Sequence, residues 1–172
     1  MNQPEFGFMQ PAKKRKLRKS PAEYKVVALR DCPLPPQWET CETPSVAVGY
    51  WQKHVVEHPY FNPETECLVV LLLNTRKKIK GHCLVSTGTL ETILVHAREV
   101  FRPALVAAAS AIVLMHNHPS GDPSPSEADI KVTRDLIRAG QLLKVEVLDH
   151  VIVGHRGTQR YVSLRELGYF AC

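Results

Sequence analysis

Residues 111–129, AIVLMHNHPSGDPSPSEAD, hold a strand, a loop and a helix start in direct succession. The run at 111–116 is continuously apolar and short, the pattern of a strand buried on both faces. It passes straight into loop chemistry, with Pro119, Pro123, Pro125 and Gly121 among three serines. A helix is expected next, with Ser124 as N-cap, Pro125 at the first helical position and Glu127 as the capping-box partner. Ile130, Thr133 and Ile137 line one helical face, Val132 and Leu136 widen it, and Gly140 is the expected stop.

Working outward, residues 66–73 (ECLVVLLL) form a second buried strand, and residues 77–85 (KKIKGHCLV) a more exposed one. The short polar link between them predicts a hairpin. Residues 44–58 suit a helix with Ser45 as N-cap and Val48, Trp51, Val55 and Val56 as its apolar stripe. A strand is expected near residues 92–96, a helix over 98–108 interrupted early by Pro103, and closing strands at 145–153 and 161–163. Residues 24–29 (YKVVAL) read as a short β run. Strands and helices alternating around an apolar sheet predict a mixed α/β sandwich.

The chain has 172 residues, 44% hydrophobic and 23% charged, which excludes fibrous, collagen-like and wholly disordered proteins. Its net charge of +5 is unevenly spread. Residues 1–40 carry eight Lys/Arg against four acids, hence four of the five positive charges, and six of the thirteen prolines. The expected organisation is a disordered basic tail (1–23), an extended lead-in (24–43) and a near-neutral domain (44–172). The run Lys13, Lys14, Arg15, Lys16, Arg18 and Lys19 is the candidate contact for nucleic acid or another polyanion. No apolar stretch approaches the ~20 residues that span a bilayer, no signal-peptide core is present, and the five cysteines show no CxxC spacing. A cytoplasmic protein without membrane contact is expected.

The candidate site lies in the quoted stretch. His116 and His118 are two apart at a strand end, so their side chains leave one face. Asp129 follows on the helix, and the intervening loop is long enough to fold the helix start over the strand end. Two imidazoles and a carboxylate with a fourth position left for solvent is the donor set of a catalytic zinc ion. Hydrolysis would also need a base and support for an oxyanion. Ser126 is the nearest oxyanion candidate. Glu66, at the mouth of a buried strand, is the candidate base, with Glu64 its competitor. His96, Asp149 and His150 are expected in structural or outer roles around the ligands, His54, His58, His82 and His155 at the surface, and Asn117 and Ser120 as loop-orienting residues.

The pattern Glu66…His116-Asn-His118-Pro-x6-Ser126-x2-Asp129 resembles the JAMM (MPN+) metalloprotease motif. Its surroundings, LLLNTRKKIKG, VSTGTL, HAREVFRPAL, HNHPSGDPSPSEAD and VLDHVIVG, are similar to the RadC-type JAB domain over roughly residues 45–170. The resemblance implies a cytidine-deaminase-like three-layer α/β/α sandwich with a mixed sheet. It also implies one zinc ion held by His116, His118 and Asp129, with Glu66 as general base and Ser126 as oxyanion support. Where RadC proteins frequently read His-Pro-Arg-Glu, this chain has His96-Ala97-Arg98-Glu99. Full-length RadC proteins carry an N-terminal helical region suggestive of DNA binding, where this chain has its basic segment. Two functions follow as expectations. One is a zinc hydrolase acting on a peptide or isopeptide bond of a protein substrate. The other is a DNA-associated repair, recombination or mobile-element accessory protein. A nuclease of the HNH type is disfavoured because its histidines are spread over a ββα-metal unit, and Fe(II) chemistry because a base and oxyanion support accompany the ligands.

Overall fold

The computed structural model describes residues 28–36, 39–88, 95–154 and 160–170. Its centre is a mixed five-stranded sheet in the order β2-β1-β3-β4-β5. The strands are β1 (Cys67–Leu73), β2 (Ile79–Thr87), β3 (Ala111–Asn117), β4 (Glu146–Val153) and β5 (Tyr161–Ser163). Neighbours are antiparallel except β3 and β4, which are parallel and joined by a helical crossover.

Alternation along the strands sorts the core into two layers. Cys67, Val69, Leu71 and Leu73 of β1 pack with Val113 and Met115 against helix α1 (Pro44–Tyr50) and the π-helical turn Trp51–Val55 that continues it. Leu68, Val70 and Leu72 pack with Ile112 and Leu114 on the other face, against α2 (Ala97–Val106) and α3 (Glu127–Leu143). Every residue of β1 and β3 is buried. At about 1.5–3 kcal/mol for each fully buried aliphatic side chain, these two strands anchor the sandwich. The fold is thus the α/β/α sandwich with a mixed sheet. In β4 a register shift opposite Ile112/Val113 makes Leu148 the extra residue of a bulge, which returns His150 to the α3 face.

Several local expectations are corrected. The first helix starts at Thr43 as N-cap with Pro44 in its first turn, not at Ser45. Pro103 does not interrupt α2: burial of Val100, Phe101 and Ala104 outweighs the ~3 kcal/mol cost of an interior proline. Helix α3 is capped by Ser126 rather than Ser124, because Asp129 rather than Glu127 completes the capping box. It also runs past Gly140 to Leu143, ending on Lys144 in the left-handed conformation. His54 is buried, with Nε2 3.1 Å from the Pro33 carbonyl. His82 is half-buried and bonded to Tyr50 Oη at 2.8 Å, and burial holds it down at about 4, so neither is a surface residue. The strand expected at 92–96 falls outside the described residues but for Val95 and His96, which are not in a strand. The run at 24–29 does so too, except Ala28 and Leu29, which are not in a strand. The tail at 1–23 and His155 likewise lie outside them. The end of the lead-in does meet the sheet: Thr40 bridges Lys78, and Cys41 N–H donates to the Lys77 carbonyl at 2.9 Å.

Candidate metal centre

β3 delivers His116 and His118 to the face covered by α3. The loop after them is tied down at once. His118 N–H donates to the Val153 carbonyl at 3.0 Å, and Gly121 N–H returns to the His118 carbonyl at 3.0 Å. Gly121 has φ 86°, the left-handed region that favours glycine. The turn aims the Asp122 carbonyl back at His118 Nδ1, 2.7 Å away. Helix α3 then begins with the reciprocal capping box. Ser126 Oγ accepts from Asp129 N–H at 3.2 Å, and Asp129 Oδ2 accepts from Ser126 N–H at 2.8 Å and from Ser126 Oγ–H at 2.6 Å. The cap that starts the helix therefore also orients the carboxylate.

The result is a tight group. His116 Nε2 and His118 Nε2 are 3.0 Å apart, and Asp129 Oδ1 and Oδ2 lie 3.3 and 3.6 Å from them respectively. One donor atom from each residue falls within a 4.8 Å cluster, the one group of three or more such residues among the described residues that could hold a metal. Its neighbours assign the ring protons. Thr133 Oγ1 donates its single proton to the Asp129 carbonyl at 2.6 Å, so it must accept from His150 Nδ1–H, also at 2.6 Å. His150 Nε2 then accepts from His116 Nδ1–H at 2.8 Å. His118 Nδ1–H faces a carbonyl. When both rings are neutral, their Nε2 lone pairs point together beside a carboxylate, an arrangement that could hold a shared cation. Nitrogens bind zinc at about 2.0–2.1 Å, so two of them 3.0 Å apart can share one ion. The donor set fits zinc.

Electrostatics agree. Burial and the neighbouring His150 hold His116 well below the ordinary imidazole range, despite Asp129. His118 is raised, chiefly by its hydrogen bond to Asp129, against burial, with the Asp122 carbonyl and the charges of Asp129 and Glu66 assisting. Burial would raise Asp129, but His118, His116 and the two Ser126 bonds overcome it and hold the carboxyl well below its usual range.

Glu66 directly precedes β1, whose Leu68 pairs with His116 in the antiparallel ladder. Its carbonyl accepts from Gly88 N–H at 2.9 Å, and its charge reaches His118. Glu64 is exposed, in the turn headed by Asn62. Ser126 is exposed at the rim with its hydroxyl committed to Asp129. Asp149, expected in a structural or outer role, lies on the α1 side of β4, where it accepts from Ser163 Oγ–H and Arg165 N–H. His96 is the N-cap residue of α2, without a side-chain capping hydrogen bond. Periodicity places Thr133 only on an apolar face; its i+4 spacing from Asp129 is the signal that links it to the site. A cavity of about 690 Å³ lies at the other end of the sheet around Ser110, Gly140 and Glu146 and includes none of these residues.

An α/β/α sandwich carrying a His-x-His strand end and a helix-borne aspartate defines the class. Residues 41–169 match the profile of the RadC-like JAB domain. The chain belongs to that family. Among curated relatives, it is 50% identical over 101 residues to a UPF0758 protein of Caldanaerobacter subterraneus subsp. tengcongensis, covering 59% of this chain and 42% of that protein. It is 44% identical over 117 residues to a UPF0758 protein of Bacillus cereus (strain G9842), covering 68% and 50%. A UPF0758 protein of Methanococcoides burtonii is 47% identical over 106 residues, covering 62% and 45%. The chain thus spans at most about half the length of these relatives.

Proposed function

We propose that this chain is a zinc-dependent hydrolase of the JAMM type that cleaves a peptide or isopeptide bond. The observation that carries the reading is the convergence of His116 Nε2, His118 Nε2 and the Asp129 carboxylate within 4.8 Å, with the charge of Glu66 reaching His118. His116, His118 and Asp129 would hold zinc. Bound there, the ion supplies Lewis acidity, making water a nucleophile near neutral pH and polarising a carbonyl. Glu66 takes the proton of the attacking water and returns it to the leaving nitrogen. Ser126, exposed at the rim, turns its hydroxyl from Asp129 Oδ2 to the oxygen that gains charge. The Thr133–His150–His116 relay keeps His116 in the tautomer that leaves Nε2 available.

Glu66→Gln is expected to retain one equivalent of zinc and lose about 10²–10⁴-fold in turnover of a peptide library. His116→Ala is expected to lose both metal and turnover. Full activity in Glu66→Gln would sink the assignment of the base. A second role, contact with nucleic acid through Lys13, Lys14, Arg15, Lys16, Arg18 and Lys19, is favoured by the concentration of the net charge in residues 1–40. Cytoplasmic residence is part of the same reading. It is supported by the four free cysteines among the described residues, and no helix among those residues is long and apolar enough to cross a membrane.

A further inference from the structure

We propose that Asn117 is a positioning residue for Glu66, acting through the backbone to set where that carboxylate stands relative to His116, His118 and Asp129. The proposal rests on the hydrolase reading, in which Glu66 is the base.

The main-chain register of β1 with β3 runs from Leu73↔Ala111 to Leu68↔His116. Beyond that pair, a side chain takes over. Asn117 Oδ1 accepts from Cys67 N–H at 2.9 Å, and Asn117 Nδ2 donates to the Thr65 carbonyl at 3.0 Å. These two groups lie on either side of Glu66. The Glu66 carbonyl is held separately by Gly88 N–H at 2.9 Å. Residues 65–67 are therefore pinned from both neighbouring strands, and on one side the pin is a single amide.

Geometry and chemistry both single out asparagine. Alternation sends the Asn117 side chain to the face opposite the two histidines, so it takes no space in the site. Cys67 N–H can only donate and the Thr65 carbonyl can only accept, which fixes the orientation of the amide and requires a donor and an acceptor on one short side chain. Aspartate would keep the bond to Cys67 and lose the one to Thr65; alanine would lose both. Asn117 is buried, with both polar atoms engaged. Its chain neighbours are the two candidate ligands, so one residue links the base's backbone to the strand that carries them.

The test uses the full chain loaded with cobalt(II), whose paramagnetic shift falls steeply with distance. The Glu66 carboxyl ¹³C resonance is assigned by its loss in Glu66→Gln and compared in wild type, Asn117→Ala and Asn117→Asp. Both Asn117 variants should bind one equivalent of cobalt as wild type does. Their Glu66 resonance should move toward its diamagnetic position, more in Asn117→Ala. Exchange of the Cys67 amide should accelerate at least about tenfold in Asn117→Ala, as expected when a buried amide loses its acceptor. On a peptide that wild type cleaves, kcat should fall at least about tenfold with KM unchanged, the signature of a misplaced group. If Asn117→Ala does not fold, Asn117→Asp decides on the same readouts. Full cobalt binding with an unmoved Glu66 resonance would overturn the positioning role and leave the hydrolase reading standing. Loss of cobalt in both variants would overturn it too, making Asn117 a support of the ligands. Failure of wild type to bind cobalt would overturn the hydrolase reading and the proposal together.

Discussion

A neutral imidazole ligates through one nitrogen while its other nitrogen holds the proton. For His116 that condition is met by His150, 34 residues along the chain, and His150 is oriented in turn by Thr133. Outer partners of this kind are worth about 10–100-fold in metal affinity. His150→Ala should therefore weaken zinc binding by about that factor in a chelator competition, although His150 touches none of the proposed ligands' donor atoms. Unchanged affinity would show that the relay is incidental. At this scale the convergence of His116, His118 and Asp129 was legible, because His-x-His at a strand end and a helix-borne aspartate follow from periodicity. The relay was not, since it needs the β4 bulge that turns His150 toward α3, and a bulge leaves no periodic trace. Nor was the part played by Asn117, whose two partners lie about fifty residues upstream and are main-chain atoms.

Among the elements, α3 carries the most consequence. It supplies Asp129 and Thr133, and its first turn is at once a capping box worth about 1 kcal/mol and the mount of the carboxylate. Gly140 lies inside it, where replacing glycine with alanine ordinarily stabilises a helix by up to about 1 kcal/mol. Here a Cβ would stand 2.5 Å from the Val145 carbonyl oxygen and 3.2 Å from Phe101 Cζ. Gly140→Ala should therefore destabilise the protein, by about 1–3 kcal/mol in urea unfolding, as overpacking does. Stabilisation would mean that the helix end relaxes freely. A helix stop at Gly140 is therefore too early. Glycine there serves the close approach of β4 and not termination, and the left-handed residue that does end the helix is Lys144. The capping residues were one pair out for a related reason. Residues 124–129 hold two overlapping Ser-x-x-acid registers, and only the packing of Asp129 chooses between them.

Across the whole molecule, charge and core occupy different parts of the chain. The sheet with its two apolar faces accounts for residues that are together nearly neutral, while the positive excess belongs to residues 1–40. If the basic run engages phosphates with its six cations, affinity for duplex DNA should fall about a thousandfold between 50 and 200 mM salt. Removing residues 1–20 should abolish that binding and leave zinc affinity untouched, as electrophoretic shift and chelator competition would report. Salt-sensitive binding that survives truncation would rule the segment out. The layered architecture was legible from the two apolar runs at 66–73 and 111–116. The order of the strands was not, because periodicity gives each strand its faces but not its neighbours.

That order has a bearing on how the protein comes to be. The hairpin of β1 and β2 is local and can close within microseconds, whereas β3 and β4 pair in parallel only after the intervening helix has docked. Glu66 is delivered by the antiparallel pairing, but His150 reaches His116 only through the parallel one. A nascent chain can therefore assemble β1, with Glu66 just ahead of it, well before His150 fixes the tautomer of His116. On the proposed reading, metal capture would then belong to the end of folding, and a partly folded chain would be a poor scavenger of zinc.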